Sequence, residues 1–218
     1  MDTQAHWEEI YRTKSPEETS WYQSQLQTSL DWIADAANSH SASIIDVGGG
    51  ESTLVDDLLA RGYGDLTVLD IASAAIKKSQ GRLGAAAQSV VWLVGDVTTM
   101  ALPASTYDVW HDRAVFHFLT KPEQRLIYVR QLVSALKPGG QVVIATFGPE
   151  GPQKCSGLDI RRYEAESLHH ELGPHFQPVR SSLVEHRTPF GTTQQFLYCR
   201  FRFDPVRLQR QGIATTCE

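Results

Sequence analysis

Through the middle of the chain, short apolar runs bounded by acidic residues or glycines alternate with stretches whose apolar residues return every three or four positions. The first pattern marks buried strands and the second amphipathic helices. Strands are predicted at 43–47, 66–71, 90–95, 107–118 and 141–147, followed by a pair at 176–184 and 194–203 joined by a turn around Pro189 and Gly191. Helices are predicted at 53–59, with Gly62 as a stop, and at 72–83, interrupted by Gly81. A third is capped by Thr120 with Pro122 in its first turn, presents Leu126, Val129, Leu132, Val133 and Leu136 as its apolar face, and ends at Lys137-Pro138-Gly139-Gly140. A fourth runs over 162–172 and stops at Gly173. This alternation specifies an α/β fold built on a doubly wound, mostly parallel sheet. Residues 1–40 read as helices outside the sheet, 41–204 as the sheet domain and 205–218 as a polar, loosely held tail.

Composition narrows the function classes. The 218 residues suffice for one well-buried domain, and 41% hydrophobic content is ordinary for a soluble one. A net charge of −5 gives no general footprint for a phosphate backbone, so nucleic acid is not the expected partner. Cys155, Cys199 and Cys217 are widely spaced, which fits a reducing compartment and shows no metal-ligand pairing. The polar, acidic start and the absence of a long apolar run point to the cytoplasm and away from a membrane.

The chemistry starts at Asp46-Val47-Gly48-Gly49-Gly50, where the first strand ends in an acid and enters a glycine turn ahead of a helix. Glycines there let a ligand approach main-chain N–H groups at the helix start. Alone the motif is weak. About twenty residues on, Asp70 closes the next strand where a carboxylate can accept two ribose hydroxyls, and Asp96-Val97 closes the third. Read locally, Asp70 is a helix cap and Asp96 a turn residue before Thr98.

Over almost the whole chain, from about Trp7 to Phe203, these residues resemble the class I S-adenosylmethionine-dependent methyltransferases. Ser52 stands where that family often has a third glycine, and a dinucleotide fingerprint would want glycine at Thr53 and a second domain. The resemblance implies a seven-stranded sheet with an antiparallel last strand. It implies S-adenosylmethionine as cofactor, with Asp46 and Gly48, Gly49 and Gly50 on its methionyl part and Asp70 on its ribose. Asp96 and the Val97 backbone fall to the adenine, and Ile71 and His111 complete the set.

Polar residues crowd the end of the fourth strand, in His111-Asp112-Arg113-Ala114-Val115-Phe116-His117. Methyl transfer is an in-line displacement that relies on alignment, with a base only where the nucleophile carries a proton. Asp112 or His117 is a candidate base; Asp112 also suits support of the cationic donor, and His117 equally reads as a hydrogen-bonded structural histidine. The stretch lacks the motifs of DNA amino- and cytosine-methylating enzymes, and Asp108 and Asp112 make no magnesium site. Asp112-Arg113 and a small residue, with Glu185-His186-Arg187-Thr188-Pro189-Phe190-Gly191 in the last hairpin, resemble thiopurine-type thiol methyltransferases. That resemblance places Arg113 near the acceptor and either His186 or Arg187 beside it, Arg187 reading equally as a surface ion pair.

The opening His6-Trp7-Glu8-Glu9-Ile10-Tyr11 with Trp21 is similar to N-terminal segments of thiol methyltransferases and of translation-factor lysine methyltransferases. Trp7, Tyr11 and Trp21 are expected to fold over the cofactor and exclude water, or else to be packing residues. Pro149 to Ser156, carrying Cys155, is then a loop on the substrate side. The reading is methyl transfer to a thiol, hydroxyl or amine of a small molecule. The alternative is a protein lysine N-methyltransferase; an inactive binding module and a nicotinamide oxidoreductase follow.

Overall fold

The computed structural model describes residues 3–205, so nearly all of the expected tail, with Cys217, lies outside the described residues. Two helices come first, α1 (Thr3–Thr13) and α2 (Gln27–Ala36). Strands and helices then alternate as β1 (Ser43–Val47), α3 (Leu54–Ala60), β2 (Asp65–Asp70), α4 (Ser73–Leu83), β3 (Val90–Val94), β4 (Tyr107–Arg113), α5 (Pro122–Ala135) and β5 (Leu136–Phe147). A two-stranded insert, β6 (Lys154–Cys155) and β7 (Leu158–Asp159), precedes α6 (Ala165–Leu172) and the closing hairpin, β8 (Phe176–Arg187) and β9 (Thr193–Phe203).

The main sheet has seven strands in the order β3-β2-β1-β4-β5-β9-β8. The first five pair in parallel, and β9 runs antiparallel between β5 and β8, which is the fold class expected. Strand β1 is buried along its whole length, as a central parallel strand covered on both faces must be. Side chains alternate between the two covers. Ile44, Val109 and Val143 pack with Leu30 and Ile33 of α2 and Leu54 of α3. Ile45, Trp110 and Ile144 pack with Tyr128 and Leu132 of α5 and Leu168 of α6.

Several local expectations shift. The fourth strand stops at Arg113, not at 118, because Asp112 accepts the amides of Val115 and Phe116 and starts a short turn of 3-10 helix at Phe116–Phe118. The inner face of α5 is Arg125, Tyr128, Leu132 and Ala135, whereas Leu126 is 54% and Val133 36% exposed. Arg125 takes an inner position because its guanidinium meets Glu171 at 2.9 Å and the carbonyls of Leu119 and Thr120. Leu136 is buried but already belongs to β5. Helix α6 starts at Ala165, since Tyr163 is still bonded in extended form to the Phe147 carbonyl. Gly81 lies inside α4 without breaking it. Of the N-terminal region, α2 joins the main core, with Leu30 and Ile33 completely buried, while α1 lies over the sheet and buries only Tyr11, against Ala72 and Ala75. Among the described residues no helix is long and apolar enough to cross a membrane.

Candidate active site

The carboxyl ends of β1, β2 and β3 each carry an acid within two residues of the strand end, Asp46, Asp70 and Asp96, and the glycine turn follows the first of them. Gly48 and Gly49 donate to the Leu69 carbonyl at 2.7 and 3.3 Å, tying the turn to β2. At Gly48, φ is +71°, and a Cβ would lie 2.0 Å from Val115 Cγ2. At Gly50, φ is +50°, and a Cβ would lie 2.6 Å from the Tyr11 hydroxyl and 3.3 Å from Asp70 Oδ2. A side chain at either position would fill the cradle. Ser52 does a different job from a third glycine: its Oγ accepts the Leu54 amide at the start of α3.

Asp70 accepts the Ala72 amide on Oδ1 at 2.8 Å, so the local turn seen from sequence is real. The carboxyl is nevertheless buried at the rim of a cavity, and burial pushes its pKa up to about 7 against the opposing amides of Ala72 and Gly50. Asp96 likewise gives Oδ1 to the amide and hydroxyl of Thr98, each at 2.7 Å. Both acids, with Ile71 and Val97, line a cleft of about 940 Å³. A smaller cavity of about 550 Å³ adjoins it, lined by Asp46, Gly49, Glu51 and His111. Tyr11, Trp21, Gly48 and Arg113 line both.

The N-terminal aromatics cover this junction. Trp7 packs edge-on against Trp21 and Phe118, with ring centroids 5.7 and 5.1 Å apart. Glu8 fastens α1 to the first turn of α4, accepting the Ala74 amide at 2.8 Å and the Ser73 hydroxyl. Those hydrogen bonds hold its carboxyl below the ordinary range. The next segment is tied at two successive carbonyls: His186 Nε2 donates to Ser20 at 2.7 Å and Arg113 Nη1 to Trp21 at 3.0 Å. Burial, with Arg113 nearby, lowers the pKa of His186 and keeps that imidazole neutral. Arg187 is exposed, so His186 is the hairpin residue that meets the N-terminal cover.

The fourth strand separates its polar residues sharply. Arg113 stacks over Phe196 at 4.5 Å, and its Nε has no partner. Asp112 lines neither cavity; it is fully buried, accepts from Val115, Phe116 and the Tyr128 hydroxyl at 2.5 Å, and is pushed up to about 6 by burial. His117 lines neither cavity as well. Its Nδ1 accepts the Phe147 amide at 3.2 Å, its ring packs between Phe118 and Phe147, and burial with Arg113 lowers its pKa to about 3. Ala114, at φ +74°, is the bend that turns Arg113 toward the cleft side while Asp112 anchors the core.

Residues 44–140 match the family model described as a methyltransferase domain. The seven-stranded sheet with its antiparallel β9 is the class I methyltransferase fold. The chain is 29% identical over 121 residues to the ubiquinone/menaquinone biosynthesis C-methyltransferase of Roseobacter denitrificans, covering 54% of this chain and 46% of that protein. It is 33% identical over 108 residues to the malonyl-(acyl-carrier protein) O-methyltransferase of Anoxybacillus flavithermus, covering 49% and 39%. It is 24% identical over 147 residues to the eEF1A lysine and N-terminal methyltransferase homolog of Drosophila melanogaster, covering 63% and 21%. The chain thus spans less than half the length of these curated relatives. The same fold occurs in a structure from work on conversion of a disulfide bond into a thioacetal group during echinomycin biosynthesis, with a TM-score of 0.76, 17% identity and 97% of both chains covered. Burkholderia thailandensis 1,6-didemethyltoxoflavin-N1-methyltransferase, with bound substrate and S-adenosylhomocysteine, gives a TM-score of 0.67 at 18% identity over 89% and 81%.

Asp46 thus lies on the smaller cavity and Asp70 and Asp96 on the larger, with Tyr11, Trp21, Gly48 and Arg113 at the junction of the two, while Asp112 and His117 support the strand end from the core. Glu51, Ser29 and Phe196 were not singled out from sequence. Glu51 follows the glycine motif directly and lines the smaller cavity. Ser29 and Phe196 contact the lining residues His111 and Arg113 from elements distant in sequence, and nothing local to either announces it.

Proposed function

We propose that the protein transfers the methyl group of S-adenosylmethionine to a small molecule bearing a thiol, hydroxyl or amine. The observation that carries this reading is the junction shared by the two cavities at Tyr11, Trp21, Gly48 and Arg113. The site fits the cofactor in its parts: Asp70 for the ribose, Asp96 and Val97 for the adenine, and Asp46 with the glycine cradle for the amino acid. When bound, the sulfonium supplies an electrophilic methyl group.

The protein's own residues supply alignment and a dry, covered site. Trp7, Trp21 and Phe118 form a cover suited to a small acceptor, and Cys155, pushed up to about 11 by burial, stays a neutral thiol on the cleft wall. Arg113 is the residue we assign to the acceptor. Its planar fork, stacked on Phe196 and with Nε unpartnered, favours an acceptor that ionises to an anion, a thiol or an acidic hydroxyl above an amine. No base is assigned to Asp112 or His117, because neither borders the cleft.

The test is release of S-adenosylhomocysteine from S-adenosylmethionine across a panel of thiols, phenols and amines, with lysine-containing protein tails as a separate arm. Turnover with small thiols or phenols supports the reading; turnover confined to the protein arm replaces it with lysine methylation.

A further inference from the structure

A hydrogen-bonded chain leads from the smaller cavity into the core. Asp46 Oδ1 meets His111 Nδ1 at 2.6 Å, His111 Nε2 meets Ser29 Oγ at 2.9 Å, and Ser29 Oγ meets the Tyr198 hydroxyl at 3.2 Å. All four side chains are buried, with Asp46 the most exposed at 4%. They come from β1, β4, α2 and β9, so the chain joins both sides of the sheet's centre to the helix before it.

The hydrogen count gives the chain a direction. An ionised carboxylate only accepts, so Nδ1 carries the imidazole hydrogen. With that single hydrogen on the ring, Nε2 accepts from Ser29, whose oxygen accepts from Tyr198. In this arrangement every donor is used. The order Asp46, His111, Ser29 is also that of a hydrolytic triad. Ser29 excludes that use: it borders neither cavity, and its oxygen is already engaged on both sides.

We propose that His111, Ser29 and Tyr198 are positioning residues that lock Asp46 as the acceptor for the α-ammonium group of the cofactor's amino acid, an inference that rests on the cofactor reading above. His111 occupies Oδ1. Oδ2 is left beside the glycine turn, where a Cβ on Gly49 would approach it to 2.7 Å. An ammonium needs oxygen acceptors around three N–H groups, and Asp46 with Glu51 brings carboxylates to this one cavity.

The experiment compares two ligands of the full chain by calorimetry: S-adenosylhomocysteine, and 5′-methylthioadenosine, which keeps the adenosine and sulfur but lacks the amino acid. Ser29→Ala is expected to weaken S-adenosylhomocysteine about tenfold and Tyr198→Phe about threefold, while methylthioadenosine affinity stays within about twofold. His111→Asn keeps a donor at the Nδ1 position and should retain more affinity than His111→Ala. Equal losses for both ligands, or unchanged S-adenosylhomocysteine affinity in Ser29→Ala, overturn the relay; Tyr198→Phe decides if Ser29→Ala does not fold. A wild-type protein that binds neither ligand refutes the cofactor reading instead.

Discussion

Arg113 Nη1 donates to the main-chain carbonyl of Trp21 at 3.0 Å, so the strand end assigned to the acceptor also holds the aromatic cover. Lysine at this position keeps the charge but loses the fork that serves the carbonyl, the Phe196 face and an acceptor together. Arg113→Lys should lower kcat/KM for the acceptor by about 10- to 100-fold, the loss of one or two charge-assisted hydrogen bonds, with S-adenosylhomocysteine affinity near wild type. Weakened cofactor binding with unchanged acceptor kinetics would move Arg113 to the donor side.

If Asp70 holds the ribose as proposed, cofactor binding should be pH-dependent. Burial raises its carboxyl from 3.8 to about 7, so protonation favours the folded apoprotein; that stability is complete below about pH 4 and is lost as pH rises through 7. Ionised Asp70 is the form that accepts ribose hydroxyls. Affinity for S-adenosylhomocysteine should therefore climb between pH 6 and pH 8, while apoprotein melting temperature falls mainly between about pH 4 and pH 7 and levels off above that. Asp70→Asn should flatten both trends, and identical slopes in the variant would assign the titration elsewhere.

The cover and the core divide the N-terminal region between α1 and α2. Deleting residues 1–22 removes Trp7, Tyr11 and Trp21 and should leave far-ultraviolet circular dichroism close to native while abolishing methyl transfer. Extending the deletion through Ala36 removes Leu30 and Ile33 from the core and should unfold the sheet, since large buried aliphatics each carry about 2–5 kcal/mol. Full activity in the shorter deletion would reject the cover.

The glycine cradle gives a steric prediction. Gly48→Ala places a Cβ 2.0 Å from Val115 Cγ2 at a positive φ, and should cost about 2–4 kcal/mol by combining overpacking with left-handed strain. Adding Val115→Ala should restore only the packing part in a denaturant titration. Full recovery in the double variant would show that the backbone angle carries no cost.

How much of this was legible in the sequence differs by element. Strands such as Ser43–Val47 were readable because burial on both faces demands an unbroken apolar run. The strand-end acids and glycines were readable because their spacing follows from the topology that parallel strands impose. Helix α5 shows its inner face only in part: Val129, Leu132 and Leu136 do face the core, but Arg125 and Tyr128 take inner positions by satisfying partners distant in sequence, Glu171 and Asp112, and leave Leu126 and Val133 exposed. Asp112 and His117 looked catalytic for the same reason: composition shows polar groups near a strand end and says nothing of which way each side chain points. The tie of Ser20 and Trp21 to His186 and Arg113 runs through main-chain carbonyls, which no residue type reveals.

The central claim is that this fold holds S-adenosylmethionine at Asp46, Asp70 and Asp96. Calorimetric titration of the full chain with S-adenosylhomocysteine and, separately, with NAD tests it most directly. Saturable one-to-one binding of S-adenosylhomocysteine, weakened by about 1–3 kcal/mol in Asp70→Ala and with no heat from NAD, is the predicted result. Binding of NAD without S-adenosylhomocysteine, or S-adenosylhomocysteine affinity indifferent to Asp70, would contradict it.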